Sequence, residues 1–168
     1  MTTDLRQAWP VPEASADAVL SVEVLEHLND RTGPEASIGE IATFCFSGAR
    51  RMFVESFRIL VPGGALVVTT PNATGLDAIG NALRRRHPFL YPPHVREYAP
   101  RDVIALAEEA GFRTERWTTF FAWNAHPDID RAALSAGLAA LGFDMAERGD
   151  DALFVFRRPW PPPEVSSA

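Results

Sequence analysis

The chain has 168 residues, of which 46% are hydrophobic, and this length accommodates one globular domain but not two ordinary ones. Its net charge of -6 argues against a broad electrostatic surface for nucleic acid and leaves room only for a local basic patch. One cysteine, Cys45, permits no internal disulfide, and no apolar run approaches the ~20 residues that span a bilayer, so we expect a cytoplasmic protein.

Residues 1 to 15 are polar and contain two prolines, which predicts a loop. The segment Trp9-Pro-Val-Pro12 must run extended, because proline removes a donor and restrains the residue before it. On these residues alone, the stretch is typical of a solvated amino-terminal tail.

The segment from Ala16 to His27 begins with a nearly continuous apolar run, Ala18-Val-Leu20 and Val22, and ends in an acidic cluster with a histidine. Such a run predicts a buried parallel strand that is covered on both faces. Ligands bind at the carboxyl ends of such strands. If a helical turn begins near Glu23, then Glu23, Glu26 and His27 lie at positions i, i+3 and i+4 and share one face of the turn. This spacing is workable for binding one divalent cation. Acidic residues are also favoured in a first helical turn by the helix dipole alone.

The middle of the chain contains a loop, a helix and a second strand. Residues 29 to 48 grade from polar to apolar and predict a loop that covers an edge or forms a lid. Apolar spacing predicts a helix over 49–60, ended by a turn at Val61-Pro-Gly-Gly64, and a buried strand over 65–70. Asn72, at the end of that strand, is expected either to cap the next helix or to contact substrate.

The second half of the chain adds three helices and two strands. The helices are expected over 73–86, from about 99 to 110, and over 129–141, and the strands over 112–121 and 151–157. The proline-rich segment Pro88 to His94 should return His94 over the strand ends. We therefore expect one domain over residues 1–158, followed by a disordered proline-rich tail over 159–168.

An ordered series of motifs carries a family resemblance that covers roughly residues 4 to 120. The chain resembles the carboxyl-terminal half of a class I S-adenosylmethionine-dependent methyltransferase. The motifs are Ser21-Val-Glu-Val-Leu-Glu-His-Leu28, Phe57-Arg-Ile-Leu-Val-Pro-Gly-Gly-Ala-Leu-Val-Val-Thr-Thr-Pro-Asn72, His94-Val-Arg-Glu-Tyr-Ala-Pro100 and Ala107-Glu-Glu-Ala-Gly-Phe112.

The resemblance implies an α/β fold, a partial Rossmann-like sheet with strands in the order 4-5-7-6 and flanking helices, in which the first three strands of the family are missing. No Gly-x-Gly occurs in the chain, so the family's glycine-rich cofactor turn is absent from it. The resemblance implies that S-adenosylmethionine, if bound, is contacted by the residues that follow strand three and those at the end of strand four. These are Asp4, Leu5, Ser21, Val22 and Glu23.

The resemblance also implies a chemistry. Glu23, Glu26 and His27, with the distant His94, are similar to the metal-holding set of O-methyltransferases that act in ubiquinone biosynthesis or at small-RNA 3′ ends. This implies Mg²⁺ or Mn²⁺, although many family members with a Glu-His pair at this place bind no metal. Glu23, His27 and His94 are the expected catalytic residues, and the expected acceptor is a hydroxyl of a small molecule, glycan or nucleotide.

Three hypotheses follow for the function. The chain is an O-methyltransferase that lacks its cofactor half as given, a non-catalytic remnant that acts as an interaction module, or one half of a split enzyme completed by a partner chain. In each case the first strand of the chain becomes a sheet edge with unpaired backbone groups. This edge should be covered by a second copy, by a complementing chain or by residues 35–48, which belong to an insertion relative to the family's usual short connection.

Overall fold

A computed structural model describes residues 2–30, 46–123 and 126–160 of the chain. The described residues form four strands, four helices and one 3₁₀ turn, which follows the first strand. The strands are β1 (Ala16–Val22), β2 (Leu60–Pro71), β3 (Arg113–Phe120) and β4 (Asp151–Arg157), the helices are α1 (Ser47–Ile59), α2 (Leu76–Leu83), α3 (Pro100–Glu109) and α4 (Arg131–Ala140), and the 3₁₀ turn is Leu25–His27.

The strands form one mixed sheet in the order β1-β2-β4-β3. β1 runs parallel to β2, with Val22 opposite Thr69, whereas β4 is antiparallel to both of its neighbours. This order confirms the α/β fold and the 4-5-7-6 arrangement expected from the sequence. Within the described residues, β1 is an edge strand, because its ladder is shared with β2 alone.

The hydrophobic core lies between the sheet and the helices α1 and α3. Because strand side chains alternate between faces, one set from β2 and β4 points into this layer. The core side chains are Met52 and Phe53 of α1, Val103, Leu106 and Ala107 of α3, Leu66 and Val68 of β2, and Phe154 and Phe156 of β4. This packing fixes the strand ends and the loops that follow them.

The expectation that β1 is covered on both faces was wrong. Val19 packs against the core and Ser21 contacts Met52 of α1, so the odd-numbered side chains face the helices. Leu20 and Val22 point to the opposite face, where they are 70% and 59% exposed. The unbroken apolar run thus predicted burial on both faces of β1. In the described part of the chain only one of these faces is covered.

Two further differences from the expectations concern the ends of elements. β2 begins at Leu60, which pairs with Ala16, and the regular pairing with β1 resumes only at Ala65, so the expected turn lies inside the strand as a bulge. Gly63 adopts a left-handed backbone conformation there, with φ of 81°. Most of the 29–48 insertion and of the carboxyl-terminal tail lies outside the described residues. No helix in the described ranges has the length and apolar character needed to cross a membrane.

Candidate active site

The candidate site lies at the edge of the sheet where β1 and β2 end and β4 begins. Because β4 is antiparallel to β2, its first residue, Asp151, lies opposite Pro71 at the end of β2. Glu23 follows β1 at the same edge, and its backbone N–H donates to the carbonyl oxygen of Thr69 over 3.1 Å. Strand ends from three parts of the chain therefore bring acidic side chains together.

Glu23 has an unusual backbone conformation for a residue with a side chain. Its φ of 51° lies in the left-handed region, which is strained for residues other than glycine and asparagine. The hydroxyl of Thr69 donates to Glu23 Oε1 over 2.7 Å. Burial raises the pKa of the Glu23 carboxyl above its ordinary value, and this hydrogen bond only partly offsets the effect. Strained residues persist where the surrounding structure holds them in place, and they cluster at functional sites.

Glu26 is fully buried in the 3₁₀ turn. The hydroxyl of Thr70 donates to its Oε2 over 2.9 Å, whereas its Oε1 has no hydrogen-bond partner in the structure and lies 3.7 Å from His27 Nε2. Burial raises the pKa of the Glu26 carboxyl. A buried carboxyl oxygen without a partner is costly, so this atom is poised to accept a hydrogen bond or to ligate a cation.

His94 is brought to the glutamates, as the sequence predicted. The backbone carbonyl of Glu26 accepts hydrogen bonds from the N–H groups of Val95 and Arg96, which ties the proline-rich segment to the 3₁₀ turn. The rings of His27 and His94 meet edge to face with their centroids 4.9 Å apart. His94 Nδ1 lies 2.6 Å from Glu97 Oε1, and this contact orients the imidazole.

The sequence prediction missed three residues at this edge. Asp151 is buried beside Glu23, and Trp123 Nε1 donates to its Oδ2 over 3.4 Å. Burial and the neighbouring Glu23 carboxylate raise the pKa of Asp151 to about 7. The preceding Asp150 accepts hydrogen bonds from the backbone N–H groups of Ala122 and Trp123. Two acids at the start of an antiparallel last strand were the available signal, since β4 begins where its neighbour β2 ends.

These groups surround one cavity of about 530 Å³. This volume falls within the range of small-molecule sites. Acidic and imidazole groups lie beside apolar and aromatic walls, and the described residues that line the cavity include no lysine or arginine. They are Glu23, Glu26, His27, Leu90, Tyr91, His94 and Trp123.

The residues that the resemblance assigned to the cofactor differ in their position relative to the cavity. Glu23 lines the cavity, and Val22 is exposed beside it on the open face of β1. Ser21 directs its hydroxyl to Met52 Sδ, so the backbone is what it can offer to a ligand on the open face. Asp4 is bonded to Arg6, and the carbonyl oxygen of Leu5 accepts from Trp9 Nε1. The contact of Asp4 and Leu5 with a cofactor stays a prediction.

Three of the four predicted metal ligands have suitable geometry. Glu26, His27 and His94 each offer one ligand atom, and these atoms lie within 4.8 Å of one another. Their nitrogen and oxygen atoms, with the free Oε1 of Glu26, suit a divalent cation such as Mn²⁺. Glu23 does not belong to this group.

Comparisons with known proteins agree with the fold. A family model described as a methyltransferase domain matches residues 1–116. The chain belongs to the class I S-adenosylmethionine-dependent methyltransferase family. It is 32% identical over 106 residues to a protein from Mycolicibacterium smegmatis named as a probable S-adenosylmethionine-dependent methyltransferase. That match covers 63% of this chain and 32% of the relative, so the chain spans about a third of the length of the curated protein that it matches.

Solved structures of methyltransferases share the fold. One from Archaeoglobus fulgidus, described as SAM-dependent, has a TM-score of 0.54 at 16% identity and covers 88% of this chain and 61% of its own. The N-methyltransferase NodS from Bradyrhizobium japonicum, solved with S-adenosylhomocysteine, has a TM-score of 0.51 at 19% identity and covers 94% and 53% of the two chains. At these identities the likeness concerns the fold alone.

Proposed function

We propose that the chain takes part in methyl transfer from S-adenosylmethionine to a hydroxyl oxygen, at the cavity that contains Glu23, Glu26, His27 and His94. The observation that carries this proposal is the convergence of His94, from a distant loop, with the acidic end of β1. The cofactor, when bound, supplies an electrophilic methyl carbon on a positively charged sulfonium. The described residues that line the cavity supply carboxylates and no lysine or arginine, which suits that charge.

The protein's own residues position the acceptor hydroxyl and remove its proton. The hydroxyl donates to the free Oε1 of Glu26, and the half-exposed His27 accepts its proton. The Glu26 carboxylate beside His27 stabilises the imidazolium that results. His94, oriented through Nδ1 by Glu97, directs its Nε2 nitrogen to a ligand. Glu23 aligns the groups at the end of β1.

The cofactor would be held by the residues that the resemblance assigns, with Val22 and Glu23 nearest the cavity and Asp4 and Leu5 in the amino-terminal loop. The family's glycine-rich turn does not occur in the sequence. We therefore expect this chain alone to bind S-adenosylmethionine weakly. The match covers only about a third of the curated relative. That this chain carries the activity of a complete methyltransferase is therefore part of the proposal.

A divalent metal is a second element of the proposal. Glu26, His27 and His94 fit such an ion, and Mn²⁺ suits the two imidazoles better than Mg²⁺ does. When bound, the ion would lower the pKa of an acceptor hydroxyl, and Glu26 and His27 would then be its ligands in place of accepting the hydrogen bond and the proton of that hydroxyl. Glu23, the fourth ligand expected from the sequence, is instead hydrogen-bonded to Thr69.

The edge of β1 favours an assembly with a second polypeptide. Leu20 and Val22 are exposed on a face that ends at the cavity, and β1 has one ladder partner within the described residues. Exposed apolar strands of this kind promote association. The proposed partner is either a second copy of this chain or a complementing chain. A complementing chain corresponds to the split-enzyme hypothesis, which we keep beside the hypothesis of an O-methyltransferase. Light scattering that finds a monomer without exposed apolar surface would contradict it.

The test of the function is transfer of a labelled methyl group from S-adenosylmethionine to small hydroxyl compounds, with Mn²⁺ present and absent. We expect labelled ether products, and we expect Glu26→Gln to reduce their formation at least about tenfold, because one acceptor atom for the hydroxyl is replaced. Glu109→Gln is the matched control, because Glu109 is an exposed residue paired with Arg50 at the end of α3.

Equal rates for Glu26→Gln and the wild type would contradict the proposed role of the cavity. Products methylated at nitrogen but not at oxygen would contradict the assignment of the acceptor atom. Where the chain alone binds too little cofactor, the assay is repeated after adding the candidate partner chain.

A further inference from the structure

Two aromatic rings stand at the walls of the cavity on segments that are far apart in sequence. Tyr91 follows α2 and Trp123 follows β3, and their exposed fractions are 55% and 50%. Both line the same cavity, together with Leu90. Large aromatic side chains left half exposed around a concave site mark a surface that a ligand covers.

Trp123 is held by two hydrogen bonds of its backbone and one of its ring. Its backbone N–H donates to Asp150 Oδ2 over 3.1 Å, and its carbonyl oxygen accepts from Arg131 Nη2 over 2.7 Å. Its indole N–H donates to Asp151 Oδ2. Arg131 is itself held by the buried Asp77 of α2, at 2.8 and 2.7 Å. A tryptophan whose backbone and indole N–H are both held in this way loses less conformational entropy than a mobile one when a ligand stacks on it.

Tyr91 is restrained from the other side of the cavity. Its ring meets the ring of His94 edge to face at 5.5 Å, and its carbonyl oxygen accepts from the backbone N–H of His94 over 3.0 Å. The adjacent Leu90 N–H donates to Glu97 Oε1, the atom that also contacts His94 Nδ1. The histidine of the site and the aromatic wall are therefore one connected unit.

The inner part of the cavity contains a hydrogen-bond acceptor that has no donor. Glu26 Oε1 is buried and has no hydrogen-bond partner in the structure. A ligand hydroxyl would satisfy it, and a phosphate group would not, because the described lining has carboxylates and no lysine or arginine. Among the acceptor types considered above, this disfavours nucleotides.

We propose that the acceptor in this cavity is a small planar aromatic compound that bears a hydroxyl group, with its ring against Tyr91 and Trp123 and its hydroxyl on Glu26. This inference rests on the proposed function, which it narrows from hydroxyl compounds in general to aromatic ones. The cavity volume of about 530 Å³ accommodates a compound of one or two fused rings.

The test is equilibrium binding of 2-naphthol to the full chain without cofactor, followed by ligand fluorescence. Two analogues separate the contributions: decahydro-2-naphthol keeps the hydroxyl but loses the aromatic rings, and 2-methoxynaphthalene keeps the rings but loses the donor. We expect 2-naphthol to bind about three- to tenfold more tightly than either analogue. The saturated alcohol is followed by competition, because it does not fluoresce.

Protein variants assign the effect to residues. Trp123→Leu and Tyr91→Leu keep an apolar wall without the ring, and each is expected to weaken 2-naphthol binding about three- to tenfold while leaving the saturated alcohol unchanged. Trp160→Leu is the matched control, since Trp160 is an exposed tryptophan next to Gly63 at the opposite end of the sheet. Glu26→Gln is expected to remove the preference for 2-naphthol over its methyl ether.

Equal affinity for 2-naphthol and decahydro-2-naphthol would overturn the inference, and this comparison needs no variant that could fail to fold. Tighter binding of phenyltrimethylammonium than of 2-naphthol would overturn it as well, and would indicate an organic cation instead. Because these measurements omit the cofactor, they are independent of the methyl-transfer assay. Transfer to aliphatic hydroxyls alone would leave the proposed function intact while contradicting this inference.

Discussion

Two cavities of similar size lie at opposite ends of the sheet, and they use polar groups differently. The far cavity, of about 620 Å³, lies where β4 ends and β3 begins. There Arg157 pairs with Glu115, and Arg158 donates to the carbonyl oxygens of Phe57 and Leu60. At the candidate site, by contrast, the carboxyl oxygen of Glu26 is buried without a partner.

The backbone shows the same difference. The left-handed position beside the far cavity is taken by Gly63, which adopts that conformation without strain, whereas at the candidate site it is taken by Glu23. At the far end the ion pair of Arg157 with Glu115 is exposed, so both partners are satisfied but add little to stability. Groups at the site end carry strain and unsatisfied atoms, which is the expected signature of residues kept for a ligand.

The largest expected effect comes from Arg131, which joins the buried carboxylates Asp77 and Asp150 near the site. Replacing it in Arg131→Met leaves two buried charges unpaired, and this should lower the free energy of unfolding by about 3–5 kcal/mol. The control is Arg157→Met at the far cavity. Its ion pair with Glu115 is exposed, so the free energy of unfolding should fall by only about 0–1 kcal/mol. Urea unfolding measures both, and equal losses would contradict the comparison.

The next effect is stabilisation by metal. Saturating Mn²⁺ should raise the melting temperature of the wild type, because binding to the folded state at 100 times its dissociation constant adds about 2.7 kcal/mol. Glu26→Ala should abolish the rise, since it removes one of three converging ligands. Glu109→Ala, at an exposed glutamate, should retain it. A wild-type melting temperature that does not respond to Mn²⁺ would contradict the metal proposal and leave the fold assignment untouched.

A pH effect of intermediate size is expected from Asp151. Its pKa rises from 3.8 to about 7 on folding, so the folded state holds a proton that the unfolded state has already released. Stability from this group is therefore present below about pH 4 and is lost as pH increases towards 7. Asp151→Asn should remove this loss and make the protein about 1–3 kcal/mol more stable than the wild type at pH 8. Urea unfolding from pH 4 to 8 checks this, and parallel profiles would contradict it.

The sequence predicted the strand order and much of the site, but for different reasons. Apolar runs and helical spacing located the elements, and β4 was expected at its observed bounds. Glu23, Glu26 and His27 were proposed because polar residues at a strand end stand out against apolar neighbours, whereas His94 was proposed through the family resemblance. Trp123 and Asp151 were missed, because their contact depends on how the β3–β4 connection folds back. The exposure of Leu20 could not be predicted either, since an apolar strand pattern does not reveal whether a covering layer is present.

The smallest effect concerns the left-handed conformation of Glu23 itself. Glu23→Gly removes the Cβ that makes φ of 51° unfavourable, and it also removes a partly buried carboxyl whose pKa is raised by burial. It loses the hydrogen bond from Thr69, which is worth about 1 kcal/mol. The net change should be a gain in the free energy of unfolding of at most about 1 kcal/mol, together with loss of ligand binding.

Arg85→Gly is the control for this prediction, because Arg85 has a similar φ of 56° and is exposed after α2. It should gain a comparable amount from the relief of backbone strain, with no effect on ligand binding. Urea unfolding gives the stabilities, and titration with 2-naphthol gives the binding. A Glu23→Gly variant that is more than 1 kcal/mol less stable than the wild type would mean that the glutamate supports the fold. In that case the contrast with Gly63 would reflect local packing, and strain at Glu23 would no longer indicate a functional role.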